Sequence, residues 1–221
     1  SSSALLITVY NRPVRPVMIL FAKSPVAGQV KTRLHPVLTP IQAAALHKAL
    51  VAESLTRLGT LRHLYDLELH LAGTVDPWGC PDVVRRPQSA GDLGVRMRKA
   101  LKTALAAGRP QAMILGSDSP TVPLAHIEQL FAAKEDVALG PTEDGGYYAI
   151  AARRVDAQMF TKVRWSTEHT LADTVAALCA AGLSVSVGPS WWDVDSPEDL
   201  ERLEAAGFAS EWRDRESGDG A

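Results

Sequence analysis

Residues 112–120 read Ala112-Met-Ile-Leu115-Gly116-Ser117-Asp118-Ser119-Pro120. Four apolar residues with no polar interruption, ended by glycine, predict a short strand covered on both faces. Val17 to Ala22, after Pro16, is a second such run. Working outward, helical patterns lie between the apolar runs. Thr39 caps a helix with Pro40 at its first position. Ile41, Ala45, Ala49 and Ala52 are its expected apolar face, and Gly59 its end. Leu67 to Ala72 and Asp82 to Arg85 are candidate strands. Asp92 opens a helix whose stripe is Leu93, Met97, Ala100, Leu101 and Ala104. A helix from Pro123 to Lys134 follows. Strands are then expected at Val137 to Leu139 and Tyr147 to Ala151, a helix over Thr167 to Ala181, and a strand over Leu183 to Val187. The last helix runs from Pro197 to Ala206. Strands alternating with helices predict an α/β sandwich with a mostly parallel sheet. In such sheets, ligands bind beyond the carboxyl ends of the strands, so a site is expected in the loops there.

Bulk properties bound the function. The chain has 221 residues, 46% hydrophobic and 22% charged, which suits one folded domain rather than a disordered chain. Twenty-three Lys and Arg against 25 Asp and Glu give a net charge of −2. Coating of a nucleic acid polymer through bulk charge is thereby excluded as an expectation. Cys80 and Cys179 are isolated in sequence, with no CxxC and no zinc-ligand spacing, which fits a reduced, cytoplasmic setting. No run reaches the roughly 18 apolar residues of a membrane span, and Ala4 to Tyr10 lacks the flanks of a signal peptide. Residues 1–13 are expected as a leader, 14–208 as one domain, and 209–221 as a polar tail.

Four loops carry unusual residues. The first, Lys23 to Leu34, places Gly28 beside Lys23, Lys31 and Arg33, where glycine lets backbone approach a ligand and the cations hold phosphate. It reads equally as a solvated basic loop, and it is neither a Walker A loop, since Val30 precedes Lys31, nor GxGxxG. The second is Gly116 to Pro120, where Asp118 is either a ligand for a divalent cation or a helix cap. In the third, Gly140 to Tyr148, Asp144-Gly145-Gly146 is a strong turn signal for a hairpin. The extra Glu143, Tyr147 and Tyr148 also suit a loop that approaches a substrate. The fourth is Trp191 to Leu200. Ser196, Pro197 and Asp199 read as a helix start. That leaves Asp193 and Asp195, which share one side of extended backbone and can complete a cation site with Asp118.

Two lesser features join them. Gln88 to Arg96 links a glycine-bearing loop to a helix start, a place for a base or ribose. Trp165 precedes a helix capped by Ser166 or Thr167 and is either a hydrophobic staple or an acceptor contact. The six histidines are scattered, and His47, His126 and His169 are expected at helix surfaces or boundaries. No GxSxG nucleophile motif is present. Trp191, Trp192 and Trp212 leave core, lid and homodimer interface open.

In order, AKSPVAGQVKTRL, QSAGDLGVRM, GSDSP, GPTEDGGYY, WSTEHTLADT and DVDSPEDL resemble the DUF2064 family, also called the rSAM/selenodomain-associated transferase 1 family. The likeness runs from Val17 to Leu203. It implies membership of the nucleotide-diphospho-sugar transferase superfamily and a three-layer α/β/α GT-A (Rossmann-like) fold. It also implies that Gly28, Lys31, Thr32 and Arg33 form a nucleotide-phosphate loop, and that Gln88, Gly91 and Asp92 lie near base and ribose. Asp118 and Asp195 would hold Mg2+ or Mn2+, with Asp193 as the alternative second ligand. Asp144, Gly145 and Gly146 would face the acceptor, with Tyr147 and Trp165 beside them. Ser119 stands where the family usually has cysteine, so a role needing a thiol there does not carry over.

The expected activity is transfer of a nucleotidyl group from a nucleoside triphosphate to a small phosphorylated acceptor, with Lys31, Arg33 and Asp118 as the catalytic groups. A glycosyltransferase using a nucleotide sugar is the alternative, and a non-catalytic nucleotide-binding module the third.

Overall fold

The computed structural model describes residues 14–209 and 211–213. The expected leader at 1–13, and position 210 and residues 214–221 of the expected tail, lie outside the described residues. Seven strands form one sheet: β1 (Val17–Lys23), β2 (Asp66–Ala72), β3 (Val84–Pro87), β4 (Ala112–Gly116), β5 (Val137–Pro141), β6 (Tyr147–Ala152) and β7 (Val185–Val187). Their order across the sheet is β3-β2-β1-β4-β6-β5-β7. Only β6 runs against its neighbours, in a hairpin with β5 and antiparallel to β4. Every other pairing is parallel. The connecting helices are α1 (Pro40–Gly59), α2 (Leu93–Ala106), α3 (Leu124–Ala132), α4 (Thr170–Ala180) and α5 (Pro197–Ala205). The expected α/β/α architecture with a mostly parallel sheet is what the chain adopts.

The period-2 alternation of a strand divides β1 between two cores. Met18, Leu20 and Ala22 pack with Val51, Leu55 and Leu58 of α1 and with Ile127, Leu130 and Phe131 of α3. Val17, Ile19 and Phe21 pack with Met97, Ala100 and Leu101 of α2 and with Leu178 of α4. A third cluster lies outside the sheet. It joins Leu34 and Leu38 after the first loop, Ala43, Leu46 and Leu50 of α1, Trp192 and Val194 before α5, Leu200 and Leu203 on α5, and Trp212. This cluster brings the first and fourth loops together.

Some expectations need correction. The apolar face of α1 is not Ile41-Ala45-Ala49-Ala52. Ile41 and Ala52 are exposed, and the helix buries Ala43, Leu46, His47, Leu50, Val51, Ser54, Leu55 and Leu58. Two cores and the leucines set the helix phase, and an alanine stripe gives up little when it faces water. His47 is therefore buried, not at the surface. β3 lies about two residues later than expected, and α4 starts at Thr170 rather than Thr167. Neither Ser166 nor Thr167 is its N-cap residue. Position 169 is, without a side-chain cap, while Ser166 takes a left-handed φ of 59°. The packed chain also extends beyond 208, because the Trp212 side chain belongs to the third core.

Candidate active site

A cleft of about 670 Å3 opens at the carboxyl end of the sheet. The loop after β1, the end of β4, the β5–β6 hairpin, the approach to α4 and the approach to α5 line it. Lys31, Thr32, Arg33, Gln88, Asp118, Asp144, Gly146, Tyr147, Trp165, Asp193 and Asp195 are all brought to it. Gly28, Gly91, Asp92 and Gly145 do not line it.

Its centre is an ion cluster. The Lys31 ammonium lies 2.5 Å from Asp118 Oδ1 and 3.1 Å from Asp195 Oδ1, and donates to the Val194 carbonyl at 2.7 Å. Val30 and Leu34 are buried on either side and anchor the backbone. Lys31 itself adopts the left-handed region, φ 51° and ψ 37°, an uncommon conformation for a residue with a side chain. Burial works against the ammonium, and the two carboxylates outweigh it, so the Lys31 pKa is raised. Burial likewise works against the Asp118 carboxylate, and Lys31 more than compensates, so its pKa is lowered. Arg33 is exposed and reaches Asp195 Oδ2 at 3.5 Å. The Val194 amide donates to the Asp118 carbonyl at 2.8 Å, tying the fourth loop to the end of β4.

Asp193 and Asp195 part company. Asp195 shares Lys31 with Asp118, whereas Asp193 accepts a hydrogen bond from the Ser119 hydroxyl. Burial, with Asp118 nearby, pushes the Asp193 pKa up to about 7. Among the described residues no group of three or more His, Cys, Asp or Glu side chains surrounds a common metal position. What converges instead is two carboxylate oxygens and a backbone carbonyl, all on the Lys31 ammonium. Hard oxygen donors of this kind fit Mg2+, which takes one or two carboxylates and completes its shell with water and phosphate.

The other sequence candidates have more local duties. The Gln88 amide donates to the carbonyls of Ala22 and His70 and accepts from Arg96 Nη1, so it braces Arg96 at the cleft wall. Asp92 accepts from the Val95 amide as the cap of α2. Gly145 has φ 89°, and a Cβ there would run into the Glu168 carbonyl. Its own carbonyl accepts from Leu171 N at 2.8 Å, which joins the hairpin to α4. Asp144 Oδ1 accepts from the Thr142 hydroxyl and the Gly146 amide. Trp165 packs on Phe160 with ring centroids 5.6 Å apart, and a Cβ at Gly94 would lie 2.7 Å from its ring. Burial raises the Tyr147 pKa. Glu143 is held by both arms of Arg202, at 2.7 and 3.0 Å, and Arg202 stacks over Trp192.

His47, expected at a helix surface or boundary, also lines the cleft, as does Arg96 at the end of the segment expected near a base or ribose. A ring nitrogen of His47 lies 3.0 Å from the Lys23 carbonyl, and burial lowers its pKa. The correct phase of α1, read through Ala43, Leu46 and Leu50, would have turned His47 inward.

The fold is that of the nucleotide-diphospho-sugar transferase superfamily. The chain belongs to the family described as "Uncharacterized protein conserved in bacteria (DUF2064)", whose profile matches residues 46–167. A protein of Desulfovibrio desulfuricans G20, provisionally named a nucleotide-diphospho-sugar transferase, is 31% identical in sequence, with a TM-score of 0.79 over 90% of each chain. CMP:2-keto-3-deoxy-manno-octonic acid synthetase, solved with CTP, is 13% identical, with a TM-score of 0.51 over 87% of this chain and 98% of its own. The 4-diphosphocytidyl-2C-methyl-D-erythritol synthase of Anaerococcus prevotii DSM 20548 is 8% identical, with a TM-score of 0.53 over 88% and 97%. The last two likenesses are of fold. No curated protein matches the chain. Among the described residues no helix is long and apolar enough to cross a membrane.

Proposed function

We propose that this protein is a transferase that takes a nucleoside triphosphate and moves its nucleotidyl group to a small acceptor. The observation that carries the reading is the meeting of Lys31, Arg33, Asp118 and Asp195 in one cleft at the carboxyl end of β1 and β4. Two carboxylates beside two cations suit a phosphate ligand that arrives with a divalent metal. A phosphate site without metal gains nothing from them.

Lys31 and Arg33 bind the phosphate oxygens, the lysine as a point charge and the arginine as a fork. Asp118 and Asp195 would hold Mg2+ or Mn2+, which supplies neutralisation of the charge that develops on the leaving phosphate. The Trp165 and Asp144 side of the cleft receives the acceptor. An acceptor phosphate oxygen attacks the α-phosphorus and pyrophosphate leaves. Placement and electrostatics carry the step, so a protein nucleophile is not needed.

One observation favours a second reading. Asp144 binds its partners through Oδ1, and among the described residues none hydrogen-bonds Oδ2. It can take the proton of an acceptor hydroxyl attacking a sugar carbon, with a nucleoside diphosphate leaving, as in glycosyl transfer. The name of the D. desulfuricans relative agrees with that alternative.

Thermal shift with nucleoside triphosphates, diphosphates and nucleotide sugars, with and without Mg2+, separates them. Ligand at about 100 times its Kd stabilises by about 2.7 kcal/mol. A Mg2+-dependent shift with one triphosphate, and pyrophosphate release on adding acceptor, supports nucleotidyl transfer. A shift confined to nucleotide sugars supports the second reading. No shift with any nucleotide refutes both.

A further inference from the structure

The place between Asp118 and Asp195 is filled by the protein itself. Lys31 Nζ makes both carboxylate contacts and the Val194 carbonyl contact, and its side chain is only 4% exposed. A divalent ion seated on the same oxygens would lie against the ammonium and be repelled by it, although the Asp118 and Asp195 side chains themselves are 42% and 36% exposed. The two cations therefore exclude each other. The Lys31 backbone is anchored between buried Val30 and Leu34, so what can move is the four-carbon side chain. Its way out is open, because Lys31, Thr32 and Arg33 all border the cleft.

We propose that Lys31 is an exchangeable internal counter-ion: it neutralises Asp118 and Asp195 until a divalent cation arrives with a phosphate ligand, and then swings from the carboxylates to the phosphates. The inference rests on the reading of the cleft as a phosphate site. It goes further in making metal and phosphate binding mutually dependent through one side chain. Metal alone must evict Lys31 into solvent without a new partner. Metal together with a phosphate gives the ammonium somewhere to go. Each ligand then strengthens the other, and by linkage the two effects are equal.

The test is direct binding of Mn2+, by titration calorimetry and by the loss of its free-ion electron paramagnetic resonance signal, with and without pyrophosphate, each measured against the same Mn2+ and pyrophosphate without protein so that their direct complex is subtracted. In the native protein, Mn2+ alone should bind weakly, and pyrophosphate should tighten it by about tenfold or more, within the usual range of coupling between sites. Lys31→Met should bind Mn2+ alone about tenfold more tightly than the native protein, and the tightening by pyrophosphate should be clearly smaller than in the native protein, because the competing charge is gone and only direct metal–phosphate attraction remains. Its thermal unfolding should fall without metal and recover with Mn2+. Lys31→Arg, which keeps the charge, should bind Mn2+ alone as weakly as the native protein. Asp118→Asn added to Lys31→Met should abolish the tight binding, which locates it.

Mn2+ binding to Lys31→Met no tighter than to the native protein, with the fold intact by circular dichroism, overturns the exchange. So does equal tightening by pyrophosphate in both proteins. Failure of the native protein to bind pyrophosphate at all overturns the phosphate-site reading instead, and the two failures are thereby distinct.

Discussion

At the scale of single residues, Asp118 and Gly145 are opposite cases. Asp118 is at the end of a buried strand for what its carboxylate does with Lys31. Asp118→Asn keeps the shape and removes the charge. Nucleotide-dependent turnover should fall by about a hundredfold or more, the size of losing one electrostatic stabiliser, and the Mg2+-dependent thermal shift should disappear. Turnover and metal response unchanged from the native protein would remove Asp118 from the site. Gly145 is needed for its backbone. Its φ of 89° and its approach to the Glu168 carbonyl leave no room for a Cβ. Gly145→Ala should destabilise by about 1–3 kcal/mol through backbone strain, measured by denaturant unfolding. Both residues were singled out from sequence, and for Gly145 the structure shows a packing duty that the sequence did not.

At the scale of elements, caps and edges decide. Ser196 accepts from the Asp199 amide while the Asp199 carboxylate accepts from the Ser196 amide, a reciprocal box that starts α5. Ser196→Ala should cost about 1 kcal/mol, a fall of roughly 2–4 °C in Tm for a chain of this size. This start was legible because a capping box is read within four residues. At the sheet edge, buried Glu68 of β2 binds His70 at 2.9 Å and Arg86 of β3 at 2.8 Å. Burial works against its charge, but these partners prevail and lower its pKa. A lowered carboxylate pKa contributes stability above the unfolded value, roughly 4.3, and loses it as pH falls through the folded value. The native protein should therefore lose stability on acidification below about pH 4.5 more steeply than Glu68→Gln. Parallel slopes from pH 6 to 3 would show that the network contributes nothing. Leu67 to Ala72 was legible as a strand, but not the pairing of Glu68 with Arg86, which needs β2 and β3 side by side.

At the scale of the molecule, the third core matters most. Leu34 after the first loop, Val194 before α5, and Trp192 and Trp212 pack together, and all are buried. Trp212→Ala should remove about 3–5 kcal/mol of stability. It should also weaken nucleotide binding, although Trp212 does not line the cleft, because the first and fourth loops lose their common support. A variant with lowered Tm and unchanged nucleotide affinity would separate the core from the site.

The alternation of strands and helices, the caps at Thr39, Asp92 and Ser196, and the chemical character of each loop were all determined by the sequence alone. These signals are local: they repeat at two or 3.6 residues, or close within four. The burial phase of α1 and the inward turn of His47 came from the tertiary structure, as did the bracing of Arg96 by Gln88. So did the seat of Lys31 between Asp118 and Asp195. Lys31 and Asp195 are 164 residues apart. Nothing in either segment names the other; the packing of the third core and the Val194–Asp118 backbone hydrogen bond close that distance.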